Sequence, residues 1–141
     1  MIVLDTNVVS EPMKPAAEPG VAAWLDRQAA ETLYLTTTSL AELLVGIDLL
    51  PEGRRKDGLA AALAAVLEDL FAGRILAFDR AAAETYAPLV ARARAGGHTV
   101  SAADAQIAAI AAVRDFAVAT RDTMPFAAMG VPVIDPWDEA G

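Results

Sequence analysis

The chain has 141 residues, no cysteine and a single histidine, which excludes a disulfide scaffold and any metal centre built from cysteine and histidine clusters. Its net charge of −8, from 19 acidic and 11 basic side chains, argues against an affinity for nucleic acid that rests on overall positive charge. Hydrophobic residues make up 55% but aromatics only 6%, and 33 residues are alanine, a composition that implies closely packed helices.

One domain over residues 1–141 is the expectation, long enough to bury roughly two thirds of its unfolded surface. The opening MIVLD predicts a buried strand whose last residue, Asp5, emerges at the C-terminal edge of a sheet, and Thr6 and Asn7 then turn the chain. Val21, Trp24 and Leu25 lie at helical spacing within 19–30, and LYLT at 33–36 predicts a second strand. Ser39 is expected to start the next helix, with Leu40, Leu43, Leu44 and Ile47 facing inward and 51–53 ending it. A further helix over 54–72 carries Leu59, Leu63, Val66, Leu67 and Leu70, with Gly73 as its stop. RILAF at 74–78 is a third strand, and a helix over 80–95 closes at Gly96 and Gly97. Ser101 caps a helix over 102–115, FAVAT at 116–120 is a fourth strand, and the tail holds a short helix near Phe126, a last strand at 131–134 and a DPW turn.

The alternation of short strands and longer helices predicts an α/β fold, with helices on both faces of a mainly parallel sheet of about five short strands and a working site at the strands' carboxyl ends. The phosphate-binding patterns GxGxxG and GxxxxGK[ST] are absent. The longest apolar stretches, 59–67 and 107–113, fall short of the ~20 residues of a bilayer span. The start lacks a basic leader and puts Asp5 where a signal peptide would be apolar, so a cytoplasmic location is expected.

Asp5, Glu42, Asp104 and Asp122 stand singly among apolar residues. Each has an ordinary explanation: strand-end aspartates cap turns, and Ser39-x-x-Glu42 and Ser101-x-x-Asp104 both match the capping box. The combination points further, because helices that follow strands begin at the same sheet edge where the strand-end acids emerge. Two charges about 5 Å apart repel by roughly 3 kcal/mol at an effective dielectric of ~20, so four converging carboxylates require a counter-charge. With oxygen donors only, that counter-charge is Mg²⁺ or Mn²⁺, which suits phosphodiester hydrolysis by a metal-activated water.

The series MIVLDTNVVSEP from residue 1, TTSLAELLVGI from 37, HTVSAADAQIAAIA from 98 and VATRDTMPF from 118 resembles the PIN-domain ribonucleases of the VapC toxin class, and is most similar to their FitB-like subgroup. The resemblance covers essentially the whole chain. It implies a three-layer α/β/α PIN domain, an Mg²⁺- or Mn²⁺-dependent endoribonuclease acting as the toxin of a type II toxin–antitoxin pair, and a homodimer. By motif it places catalytic acids at Asp5, Glu42, Asp104 and Asp122, with Asp5, Asp104 and Asp122 on the metal and Asn7 and Thr120 in support. Two departures stand out: Asp122 occupies a position that is commonly asparagine, and Pro125 precedes Phe126 where relatives carry an Asp-Phe pair.

On this reading Glu42 holds or deprotonates a metal-bound water, and cleavage leaves 5′-phosphate and 3′-hydroxyl ends. RNA, single-stranded or looped, finds its footing on local cations: Arg54, Arg55 and Lys56, then Arg92 and Arg94, with Arg121 beside the acids as the phosphate contact. The resemblance also implies a small DNA-binding antitoxin whose C-terminal segment wraps the toxin, for which segments 40–50 and 54–72 supply an apolar groove. The alternative is a weakly catalytic or non-catalytic subunit that binds such a partner in a transcription-regulating complex. A phosphotransfer enzyme with an aspartate nucleophile fits less well, since DTN lacks the second acid of an Asp-x-Asp start.

Overall fold

The central strands owe their place to apolar residues on alternating sides of the backbone. In the computed structural model, which describes residues 1–139, strand β1 (Ile2–Leu4) buries Leu4 in one hydrophobic cluster and Val3 in another. Strand β2 (Leu33–Thr36) does the same with Leu33 and Leu35 against Tyr34, and strand β4 (Ala117–Ala119) with Ala119 against Val118. A strand apolar on both sides must be covered on both sides. Strands β3 (Ile75–Leu76) and β5 (Val133–Ile134) complete a five-stranded sheet of order β3-β2-β1-β4-β5, every pair of which is parallel. The register sets Ile2 opposite Leu33 on one side and Ala117 on the other.

Helices α2 (Pro19–Arg27), α3 (Thr37–Asp48) and α4 (Arg54–Asp69) lie against the Leu4 face, contributing Val21, Trp24, Leu43 and Leu63. Helices α5 (Arg80–Ala95), α6 (Ala102–Val113) and α7 (Thr123–Ala128) cover the Val3 face. The alanine excess has its use here: Ala105, Ala108, Ala109 and Ala111 of α6 and Ala82 and Ala93 of α5 are fully buried, so the two helices pack at short range. The result is the expected three-layer α/β/α fold.

Several boundaries differ from expectation. Thr6 and Asn7 do not simply turn the chain but open a short helix, α1 (Thr6–Ser10), followed by a 3₁₀ turn over Glu11–Met13. Helix α3 starts two residues early because Thr36, not Ser39, is its cap: the Thr36 side chain accepts from the Ser39 N–H at 3.0 Å. Helix α6 stops at Val113, where Asp115 takes a positive φ of 60°, and Phe116 stays outside the strand. Residues 136–139 form a last helical turn, α8 (Pro136–Glu139), where a simple turn is expected. The last two residues of the expected 1–141 domain lie outside the described residues.

Candidate functional site

The carboxyl edge of a parallel sheet gathers the ends of its strands and the starts of the helices that follow. Asp5 sits there as the residue after β1, only 6% exposed, with its N–H donating to the Ala119 carbonyl of β4 at 2.9 Å. Both its carboxylate oxygens are engaged. Oδ1 accepts from the Thr6 N–H at 2.8 Å, which makes Asp5 the N-cap of α1, and Oδ2 accepts from the buried Thr120 hydroxyl at 2.8 Å. The same Thr120 oxygen accepts from the Asp122 N–H at 3.0 Å, so one threonine ties the acid after β1 to the chain leaving β4.

Glu42 joins this network by a route that sequence reasoning missed. With Thr36 as the cap, Glu42 lies beyond the first turn of α3, and its Oε1 accepts from the Thr6 hydroxyl at 2.7 Å instead of closing a capping box. Nothing in the sequence marks Thr6 as that donor, because the pairing spans 36 positions. Asp104 keeps half of its box: its N–H donates to the Ser101 hydroxyl at 3.1 Å, at the start of α6. Asn7 has a definite partner, since its Oδ1 accepts from the Arg121 N–H at 3.3 Å. The Arg121 guanidinium lies over the Trp137 ring, 5.2 Å from its centroid.

Asp5 and Asp104 are shifted by burial and by neighbouring acids. Burial pushes the Asp5 carboxyl up from 3.8 to about 6; the hydrogen bonds from Thr120 and Thr6 hold it back, and the charges of Asp104 and Glu42 push it further up. Asp104 is also raised, first by burial and then by the charges of Asp122 and Glu42, against the Ser101 hydrogen bond. Asp5 is therefore coupled to Asp104 and Glu42, and Asp104 to Asp122. Glu42 and Asp122 are exposed to solvent, Asp104 is half-buried and Asp5 is buried. Among the described residues, no three His, Asp or Glu side chains are grouped as a ready-made metal cage. No described helix is long and apolar enough to cross a membrane.

Comparison with known proteins is consistent over nearly the full length. The PIN domain family pattern matches residues 2–131. The chain is 51% identical over 138 residues to the plasmid stability protein StbB of Pseudomonas syringae pv. tomato, covering 98% of this chain and 99% of that one. It is 45% identical over 140 residues to the VapC ribonuclease Y4jK of Sinorhizobium fredii, covering 99% and 100%. It is also 45% identical over 139 residues to the toxin FitB of Neisseria gonorrhoeae, again covering 99% and 100%. Among solved structures, FitAB bound to the IR36 DNA fragment superposes with a TM-score of 0.93 at 44% identity, covering 97% of this chain and 96% of that one. The chain belongs to the PIN-domain family, alongside relatives named as a VapC ribonuclease and the toxin FitB.

Proposed function

We propose that the protein is a metal-dependent endoribonuclease and the toxin of a type II toxin–antitoxin pair. The observation that carries this reading is the electrostatic coupling of Asp5, Glu42, Asp104 and Asp122 around one sheet edge, in a chain 45% identical to a VapC ribonuclease. The donor set is all oxygen, and burial and mutual repulsion disfavour the ionised forms of Asp5 and Asp104. A bound divalent cation relieves both, so these residues fit Mg²⁺ or Mn²⁺. Asp5 and Asp104 are its principal ligands, and Asp122 joins them directly or through water. When bound, the metal supplies a Lewis acid and a water of lowered pKa for attack on a phosphodiester.

The chain's own residues orient this chemistry. Thr120 and the Thr6 N–H fix both oxygens of Asp5, and Thr6 holds Glu42 by Oε1, leaving Oε2 to take a proton from the attacking water. Asn7 fixes the backbone at Arg121, whose cation stands next to Asp122 in sequence and serves the phosphate. The products are 5′-phosphate and 3′-hydroxyl ends. A mixed pool of single-stranded RNA incubated with Mn²⁺ tests this directly: EDTA stops cleavage, and Asp5→Asn and Asp104→Asn lower it at least ~100-fold while the fold is retained. Cleavage by both variants at the wild-type rate overturns the assignment.

The partner follows from the same kinship. A relative is named toxin FitB, and the FitAB structure is a complex on DNA, which supports a small DNA-binding antitoxin for this chain. Of the segments 40–50 and 54–72 expected to form the antitoxin groove, only 54–72 lines an apolar hollow of about 370 Å³, where Val66 and Leu70 face Val9, Met13 and Leu25; this hollow suits an apolar segment of that antitoxin. A homodimer is supported by Leu44 and Val45 of α3 and Leu49 at its C-terminal cap, which are large, apolar and 47%, 56% and 80% exposed.

A further inference from the structure

A groove of about 280 Å³ opens on Glu42's side of the acids, with Thr6 and Glu42 in its wall. Its lining is largely apolar, from Met13, Leu43, Ile47, Leu50 and Leu59, and two cations, Lys14 and Arg55, complete it. Both are solvent-exposed. Lys14 is steered by Glu11, a carboxylate whose side chain is only 6% exposed and whose Oε1 lies 3.5 Å from Lys14 Nζ. Arg55 makes no ion pair among the described residues, whereas its neighbour Lys56 is spent on Glu52 and on the Asp48 carbonyl. In a chain of net charge −8, two cations flanking an apolar floor next to the acids are the complement of a nucleotide: a base for the floor and a phosphate for the rim.

Gly46 provides an independent observation. It lies in the interior of α3, where glycine weakens a helix relative to alanine, and it lines this groove. Its backbone is not in the left-handed region, and a Cβ built on it meets nothing within 4 Å. No contact within the protein therefore requires glycine. A side chain there would stand in open space at the edge of the groove, and its absence lets a ligand come close to the helix backbone.

We propose that the groove walled by Gly46 and rimmed by Lys14 and Arg55 holds a nucleotide of the RNA strand flanking the bond to be cut. This rests on the ribonuclease reading and extends it to a substrate subsite on Glu42's side of the acids. Three variants test it: Gly46→Ala, Gly46→Leu and the double variant Lys14→Ala, Arg55→Ala. Melting temperature monitors the fold, and fluorescence anisotropy of a labelled mixed-sequence single-stranded RNA, in an Asp5→Asn background, reports binding without cleavage. Gly46→Ala raises the melting temperature by about 3 °C, since alanine is the better helix former. Gly46→Leu weakens RNA binding at least ~10-fold and raises KM, not kcat, for Mn²⁺-dependent cleavage by the otherwise wild-type chain. The double variant lowers the slope of log affinity against log salt by about 1.4, the value for two lost single-strand phosphate contacts. If wild type cuts RNA while these variants keep its affinity, salt slope and KM, the groove serves another partner such as the antitoxin, and this inference falls while the ribonuclease reading stands. If wild type neither binds nor cuts RNA with any divalent metal, both fall.

Discussion

At Asp5, burial and hydrogen bonding pull the carboxyl in opposite directions, and burial wins. Two donors, the Thr6 N–H and the Thr120 hydroxyl, favour the ionised form, yet desolvation and the neighbouring acids leave it at about 6 against an ordinary 3.8. A carboxyl raised in the native state binds a proton there that the unfolded chain has already released. The stability it contributes is present below pH 3.8 and is lost as pH climbs through about 6, amounting to about 3 kcal/mol. Asp104, raised in the same direction, adds to the loss. Asp5→Asn keeps an amide oxygen for the Thr6 N–H, turns its amide nitrogen as a donor toward the Thr120 hydroxyl oxygen, and removes the charge. In metal-free buffer it is therefore more stable than wild type at pH 7, by up to about 3 kcal/mol, and the gain vanishes by pH 4. Urea unfolding of both proteins at the two pH values checks this, and a variant less stable than wild type at pH 7 refutes it. The capping role and the proposed catalytic role meet in one side chain, which is why weighing them against each other from sequence does not separate them.

At the scale of elements, the start of α3 shows where local pattern is legible and where it is not. The S-x-x-E match points to Ser39 as the cap. The sheet decides otherwise: β2 pairs with β3 through Thr36, so the chain leaves extended geometry only after it and Thr36 becomes the cap. That pairing is long-range and leaves no local mark. Helix faces are legible only in part, since Leu44, expected to face inward with Leu40, Leu43 and Ile47, is 47% exposed. The parallel sheet of about five short strands is legible because it follows from hydrophobic periodicity and the alternation of strands with helices. Helix α1 is not, since its five residues carry two valines and owe their helicity to the Asp5 cap. The hydroxyls of Thr36 and Ser39 consequently differ in value. Thr36→Ala removes the cap and costs about 1 kcal/mol. Ser39 is fully buried and its hydroxyl has no protein partner among the described residues, so Ser39→Ala is neutral or stabilising by about 1 kcal/mol. Thermal unfolding of the two variants distinguishes the caps, and the reverse order of stabilities sinks this account of α3.

For the whole molecule, the net charge of −8 is not a uniform property of the surface. Part of it is background on solvated helices, where pairs such as Arg80 with Glu84 are exposed and contribute little. Around the ends of β1 and β4 the acids raise Asp5 and Asp104, which opposes folding at neutral pH and, on the ribonuclease proposal, the approach of RNA. The proposed divalent cation at these acids would answer both problems at once, and its binding would depend on pH, because a carboxyl must lose its proton to ligate. On the proposed metal site, binding and stability are linked through Asp5: raising the pH from 5 to 7 destabilises the metal-free protein and strengthens metal binding. Mn²⁺ at ~100 times its dissociation constant stabilises the folded state by about 2.7 kcal/mol. The shift in melting temperature on adding Mn²⁺ is accordingly small at pH 5 and several-fold larger at pH 7, while Asp5→Asn shows little shift at either. Calorimetric scans of both proteins at the two pH values, with and without millimolar Mn²⁺, measure this coupling. A wild-type shift independent of pH, or one of equal size in Asp5→Asn, places the metal elsewhere and separates the acid cluster from any role in holding it.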